Sequence, residues 1–183
     1  MLYFVVKYLG PFGFIKPWTA VRDGETNSQQ FLTPSTIEGI RQKLEVKKIL
    51  RHKLAYAALD IQQETVHAKA WKKKNNSLIR EISILKRGVM IYPQLFLAFD
   101  AKEEANKALK QHICLSRNED VLLPEHSIIE MNKEEFDHVN GFELIFEENN
   151  QSFLVGYNRF NNDQPMYGWL SVSGNPIQKP KYE

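Results

Sequence analysis

Between residues 69 and 74 the chain reads KAWKKK, so that Lys69, Lys72, Lys73 and Lys74 surround the single large aromatic plane of Trp71. Single-stranded RNA is gripped by this combination, with cations neutralising phosphates and flat side chains stacking on unpaired bases. The competing reading is a solvated hairpin whose tryptophan packs on the domain. A second such group lies in the first loop, where Trp18 stands between Lys16 and Arg22; there the alternative is a lid over the core. A third is QQFLTPSTIEGIRQKL, residues 29–44. Pro34 suits a first helical position, and Ser35 and Thr36 place hydroxyls at a helix N-terminus whose free N–H groups and dipole favour phosphate. Gly39 costs a helix interior about 0.5–1 kcal/mol relative to alanine. A glycine there implies close approach, by a ligand or by a packed strand.

Catalytic chemistry has fewer supports. Metal-independent RNA cleavage needs a base for the 2′-hydroxyl proton and an acid for the leaving oxygen, roles open to His52 or His67 with Tyr56 or a lysine. Both histidines lie in a basic segment, where a further phosphate contact is the simpler use. His112 and Cys114 can share a strand face, yet two ligands do not make a zinc site. His126 and His138 have no partners at metal spacing, and neither a phosphate-binding glycine loop nor a nucleophile elbow occurs. No cofactor or metal is expected.

Charge supports the polyanion reading. The formal net charge of the 183 residues is only +2, but residues 41–87 carry a net +9 and residues 98–150 a net −8. Such segregation points to a polyanion on one side and solvent or a basic neighbour on the other; the competing reading is two solvated faces of a stable domain. A content of 43% hydrophobic and 25% charged residues is that of an ordinary globular domain. The lone Cys114 excludes an internal disulfide, and MLYFVVKYLGPFG reads as a strand, not a signal peptide. A cytoplasmic protein is expected.

The elements that must position these groups follow from the hydrophobic pattern. Leu2 to Leu9 is a strand closed by the Gly10-Pro11 turn; a polar loop then runs to Phe31. A helix starts near Pro34, with Thr33 as its cap or Ser35 and Glu38 as a capping box, and buries Ile37, Ile40 and Leu44. Lys48 to Asp60 reads as one long strand, although LAYAALD within it could equally continue a helix. Thr65 to Arg80 reads as a protruding hairpin turning at Asn75-Asn76-Ser77. Val89 to Phe99 is a strand in which Pro93 implies an edge or a bulge. Asp100 and Glu103 form a capping box for a helix to about Gln111, and His112 to Leu115 is a short strand. The order is that of a ferredoxin-like β-α-β-β-α-β unit of the α+β class. Residues 1–118 form this unit, with an inserted basic hairpin at about 61–88. Residues 119–183 form a β-rich extension packed on it, with strands at Ser127 to Met131, Phe142 to Phe146, Ser152 to Tyr157 and Trp169 to Val172.

On these residues the chain resembles the CRISPR-associated Cas-five family, RAMP-type subunits of the Cascade surveillance complex. FLTPSTIEGI is similar to the PTPSTIxGLL signature of that family, and ICLSRNEDVLL to its LGRSEDL segment. The similarity spans roughly residues 1–131. It implies a ferredoxin-like domain with an inserted thumb hairpin at Thr65 to Arg80. It also implies a subunit that holds the 5′ handle of the guide RNA and contacts backbone and large subunits in antiviral defence, with target DNA a further partner within the complex. Pro34, Ser35 and Thr36 match the signature and Arg117 the arginine of the second segment, while Ser116 replaces the glycine expected before it. One branch of the family cleaves precursor guide RNA with a tyrosine, lysine and histidine. Here Glu45 stands at the tyrosine position and no Lys-His pair follows. The expectation is therefore a non-catalytic RNA-binding subunit. Its rivals are a metal-independent endoribonuclease that processes precursor guide RNA and a free-standing ferredoxin-like RNA-binding protein.

Overall fold

The alternating β-branched and aromatic residues of the N-terminus form the first strand, β1 (Leu2–Leu9), which buries Tyr3 and Val5 on one face and Val6 and Tyr8 on the other. In this computed structural model residues 2–17, 24–66, 71–80, 82–158 and 161–178 are described. After β1 come β2 (Phe12–Gly13), β3 (Glu25–Asn27), α1 (Pro34–Leu44), β4 (Arg51–Ala55), β5 (Ala58–Val66), β6 (Trp71–Lys74), β7 (Ser77–Arg80) and β8 (Ser83–Ile91). The second half contains β9 (Gln94–Phe99), α2 (Lys102–Ala108), β10 (Ile113–Cys114), β11 (Val121–Asn132), α3 (Lys133–His138), β12 (Gly141–Ile145), β13 (Phe153–Asn158) and β14 (Gln164–Ser173).

The architecture is mixed α+β, with 53% of the described residues in strands and few helices. Eight strands form one open sheet in the order β10-β11-β1-β9-β4-β12-β14-β13. Its pairings are antiparallel. The second sheet carries β2 and β3 on β8, with β5 antiparallel to β8 and β3 parallel to it. The third is the two-stranded β6–β7 hairpin.

Two layers cover the large sheet. On one face Ile40 and Leu44 of α1 and Ala105 and Ala108 of α2 pack with Val6, Tyr8, Leu54, Leu95, Leu97 and Phe99. The Tyr8 hydroxyl donates to the Ala108 carbonyl at 2.6 Å. On the other face α3 inserts Phe136 against Tyr3, Val5 and Ala98. Polar groups fill the rest of that side. Lys53 is buried, and its ammonium donates to the carbonyls of Asp137 and Val139 and to Ser173 Oγ at 2.8–2.9 Å. Arg51 holds the buried Glu143 through Nε at 2.9 Å and Nη2 at 2.6 Å, and also donates to Asp137. Among the described residues, no helix is long and apolar enough to cross a membrane.

Several sequence-based boundaries move for identifiable reasons. The strand expected over Lys48 to Asp60 is two strands, because the chain leaves the large sheet at Tyr56–Ala57, where Tyr56 N–H donates to the Pro176 carbonyl and Ala57 N–H to Ile91. The strand expected over Val89 to Phe99 breaks at the same level. Tyr92 adopts a left-handed conformation (φ 49°) and Pro93 has no N–H to give a ladder. The insertion is therefore an arm, β5 and β8, paired from Ala58↔Ile91 to Val66↔Ser83. The Asp100–Glu103 capping box does not form: Ala101 is the cap of α2, without a side-chain bond, and the helix ends at Ala108, not Gln111. The strand expected at His112 to Leu115 shrinks to Ile113–Cys114 at the sheet edge, and β11 takes the place beside β1.

Candidate nucleic-acid interface

The hairpin turns where the asparagines stand. Asn75 (φ 48°) and Asn76 (φ 64°) are both left-handed, the geometry of a two-residue hairpin turn that asparagine tolerates. The register Trp71↔Arg80, Lys72↔Ile79, Lys73↔Leu78 and Lys74↔Ser77 divides the side chains between two faces. Trp71, Lys73, Leu78 and Arg80 share one; Lys72, Lys74, Ser77 and Ile79 share the other. The Arg80 guanidinium lies 5.6 Å from the Trp71 ring centre. Every residue of both strands is exposed, Trp71 by 60%, so the tryptophan is not packed into the domain. Lys69, Trp18, Arg22 and His67 lie outside the described residues.

Helix α1 begins as its sequence requires. Thr33, in extended conformation, accepts from the Thr36 N–H at 3.3 Å, and Pro34 follows at the first helical position. The Ser35–Glu38 box does not form, because Glu38 is taken by Arg41 and Gln42. Ser35, Thr36, Gly39, Ile40 and Lys43 line one side of a cleft of about 280 Å³, and Ile113, Cys114 and Leu115 line the other. A Cβ at Gly39 would meet no heavy atom within 4 Å. The glycine is therefore not a packing glycine: no strand lies against it, and its missing side chain keeps the cleft open. Exposed Lys16 sits beside this cleft by virtue of its backbone, whose N–H donates to Ser116 Oγ at 3.1 Å, next in sequence to Leu115.

Arg117 is placed differently. Its Nε and Nη2 donate to Asp120 at 3.0 and 2.7 Å, and its Nη1 to Gln62 and Glu64 at 2.9 and 2.6 Å. Only 15% of the side chain is exposed. The structure thus brings the helix residues and Lys16 near one cleft, sets the hairpin cluster on a separate projection, and ties Arg117 between carboxylates.

Two of the groups considered for catalysis, His52 and Tyr56, are buried. His52 is 3% exposed and Tyr56 1%, and neither His52 Nε2 nor the Tyr56 hydroxyl has a hydrogen-bond partner. Neither can reach a ribose hydroxyl. His52 lies 6.0 Å from the Phe146 ring and beside Arg51; desolvation first, and the Arg51 charge second, push its pKa down to about 3. The sign for stability follows: the folded imidazole stays neutral while the unfolded one takes up a proton below about pH 6.5. Folding stability from this site is complete above that pH and falls by about 1.4 kcal/mol per unit as pH drops towards 3. Urea unfolding of the wild type should show this loss between pH 7 and 5, and His52→Leu should remove it. Equal slopes for the two proteins would contradict the assignment. Among the described residues no group of three or more His, Cys, Asp or Glu side chains is placed to hold a metal.

Helix α3 was missed in the sequence, although its signal is present. Asn132 accepts from the Glu135 N–H at 2.9 Å while Glu135 accepts from the Asn132 N–H at 2.6 Å, a capping box with the pair three residues apart.

No family model matches the chain, and no curated protein matches it. Among solved structures, one titled "Crystal structure of Cas protein" aligns over 98% of this chain and 100% of that chain, with a TM-score of 0.43 and 12% identity. So low a TM-score does not establish a common fold.

Proposed function

We propose that this chain is a non-catalytic RNA-binding subunit of a CRISPR effector complex, holding the 5′ handle of the guide RNA with the basic hairpin and the α1 cleft. The observation that carries this reading is the hairpin itself, whose strands expose Trp71, three lysines and Arg80 with no core beneath them. A two-stranded hairpin is only marginally stable alone, so an aromatic and cationic projection of this kind is suited to a partner that orders it. The α1 cleft adds a helix N-terminus, two hydroxyls and Lys43 beside an unfilled glycine. The similarity of FLTPSTIEGI to the family signature supplies the CRISPR context.

A ferredoxin-like core is part of the proposal. The strand order β11-β1-β9-β4, with α1 between β1 and β4 and α2 between β9 and β11, supports it. A free-standing RNA-recognition domain would stack bases on the sheet face opposite its helices. Here α3 and Phe136 cover the centre of that face, which favours the peripheral grip. Burial of His52 and Tyr56 likewise disfavours the processing ribonuclease.

Gly39 provides the test. Gly39→Ala should raise stability by about 0.5–1 kcal/mol, since the cleft has room and the helix gains propensity. Gly39→Leu projects a side chain into the cleft; it should fold normally yet bind a repeat-derived single-stranded RNA about fivefold more weakly, one hydrogen-bonded contact being worth on the order of 1 kcal/mol. Wild-type RNA affinity in Gly39→Leu would exclude the cleft from the interface.

A further inference from the structure

We infer that Arg117 is a positioning residue that clamps the base of the RNA-binding arm to the large sheet, and not a phosphate ligand. Its importance for RNA rests on the function proposed above; the clamp is a matter of geometry. Gln62 and Glu64 are two residues apart on β5, so they share one face of the arm. Arg87 of β8 is the register partner of Gln62 and donates to Glu64 at 3.0 Å. Arg117 comes from the loop joining β10 to β11, which belong to the large sheet. One guanidinium therefore joins the two sheets.

The loop presents Arg117 rigidly. Asp120, fully buried, accepts from the Arg117 backbone N–H at 3.0 Å as well as from its guanidinium, and the Asp120 N–H donates to the Arg117 carbonyl at 3.1 Å. The buried Phe14 ring completes the joint: the guanidinium carbons of Arg87 and Arg117 lie 5.4 and 5.3 Å from its centre. Two cations here meet Glu64 and Asp120, with Glu119 3.5 Å from Arg117 as a third carboxylate. Locally no positive charge is left over to attract phosphate. The Arg117 donors that would form a bidentate phosphate fork are occupied by carboxylates in that same geometry. Burial raises the Glu64 pKa, but the hydrogen bonds from Arg87 and Arg117 outweigh it and hold the carboxyl below the usual range.

The double variant Gln62→Ala with Glu64→Ala removes both acceptors of Arg117 on the arm while leaving the Arg117–Asp120 pair, so it remains interpretable even where Arg117→Gln, which strips a buried Asp120 of its partner, fails to fold. Amide hydrogen exchange of the full-length variant should quicken at least tenfold in residues 58–66 and 83–91 and stay unchanged in β1 and β9. With repeat-derived RNA its affinity should fall while the salt dependence keeps the wild-type slope. Unaltered exchange in the arm of this double variant would overturn the clamp. So would an Arg117→Gln protein that folds with an unaltered arm and loses about 0.7 log units of salt slope, the mark of a lost single-strand phosphate contact. Faster arm exchange in a protein whose wild type binds no RNA would leave the clamp standing and remove the functional proposal.

Discussion

Replacing Lys72, Lys73 and Lys74 together with glutamate is expected to weaken binding of single-stranded RNA by about 100-fold near 0.1 M salt, and to flatten the dependence of log K on log salt by about 2. Each single-strand phosphate contact contributes about 0.7 to that slope, so three lost contacts account for both figures. The fold should not suffer, because the three side chains are exposed and their strand takes part in neither larger sheet. An unchanged melting temperature is the control. Trp71→Ala separates stacking from charge: base–aromatic stacking is worth about 1–3 kcal/mol per base, and losing it should lower affinity without altering the slope. A charge-reversed hairpin that binds with wild-type slope would remove the hairpin from the interface.

The largest effect on stability should come from Arg51→Met. Its guanidinium is bound to Glu143, whose side chain is only 4% exposed, and it lies 4.9 Å from the Phe136 ring. Removing it strands a buried carboxylate, at a cost of about 3–5 kcal/mol. The position matters for the architecture. Between β4 and β12 one register pair, Phe142↔Leu54, joins the two halves of the large sheet. Arg51 to Glu143 and Asp137, with Lys53 to Asp137, Val139 and Ser173, supplies side-chain ties across that seam. Urea unfolding should show the loss, and the double variant Arg51→Met with Glu143→Leu should recover most of it, since an apolar pair of similar volume replaces a buried ion pair at little cost. Equal stabilities of the single variant and the wild type would mean that Glu143 finds solvent or another cation.

What could be read from the sequence divides along the range of the interactions involved. The α1 start at Thr33-Pro34 and the hairpin turn at Asn75-Asn76 were legible, because caps and turns are set by neighbours within a few residues. The break at Tyr56–Ala57 was not. LAYAALD contains neither glycine nor proline, and the chain bends there because Pro176, far along the sequence, receives the Tyr56 N–H. Pro93 did announce an irregularity, but not that the chain changes sheets beside it. Strand β11 outcompeted the nearer Ile113–Cys114 for the place beside β1 because its length gives a long ladder from Leu2↔Asn132 to Leu9↔Leu123. At the candidate site the placement of Ser35, Thr36 and Gly39 on a helix could be read from type and spacing. The partners of Arg117 on β5, Gln62 and Glu64, stand 55 and 53 positions away, a separation at which charge pairing leaves no trace in a single sequence. His52 looked like a base among lysines; its burial depends on Phe146 and the sheet around it.

The central claim, that the hairpin and α1 together grip the leading end of a guide RNA, is tested most directly by ultraviolet crosslinking of the assembled complex, followed by mass spectrometry of the crosslinked peptides. The account predicts that the 5′-terminal nucleotides are attached to peptides containing Trp71 and to peptides from residues 34–43. Crosslinks of those nucleotides to another polypeptide, with both segments unmodified, would contradict it.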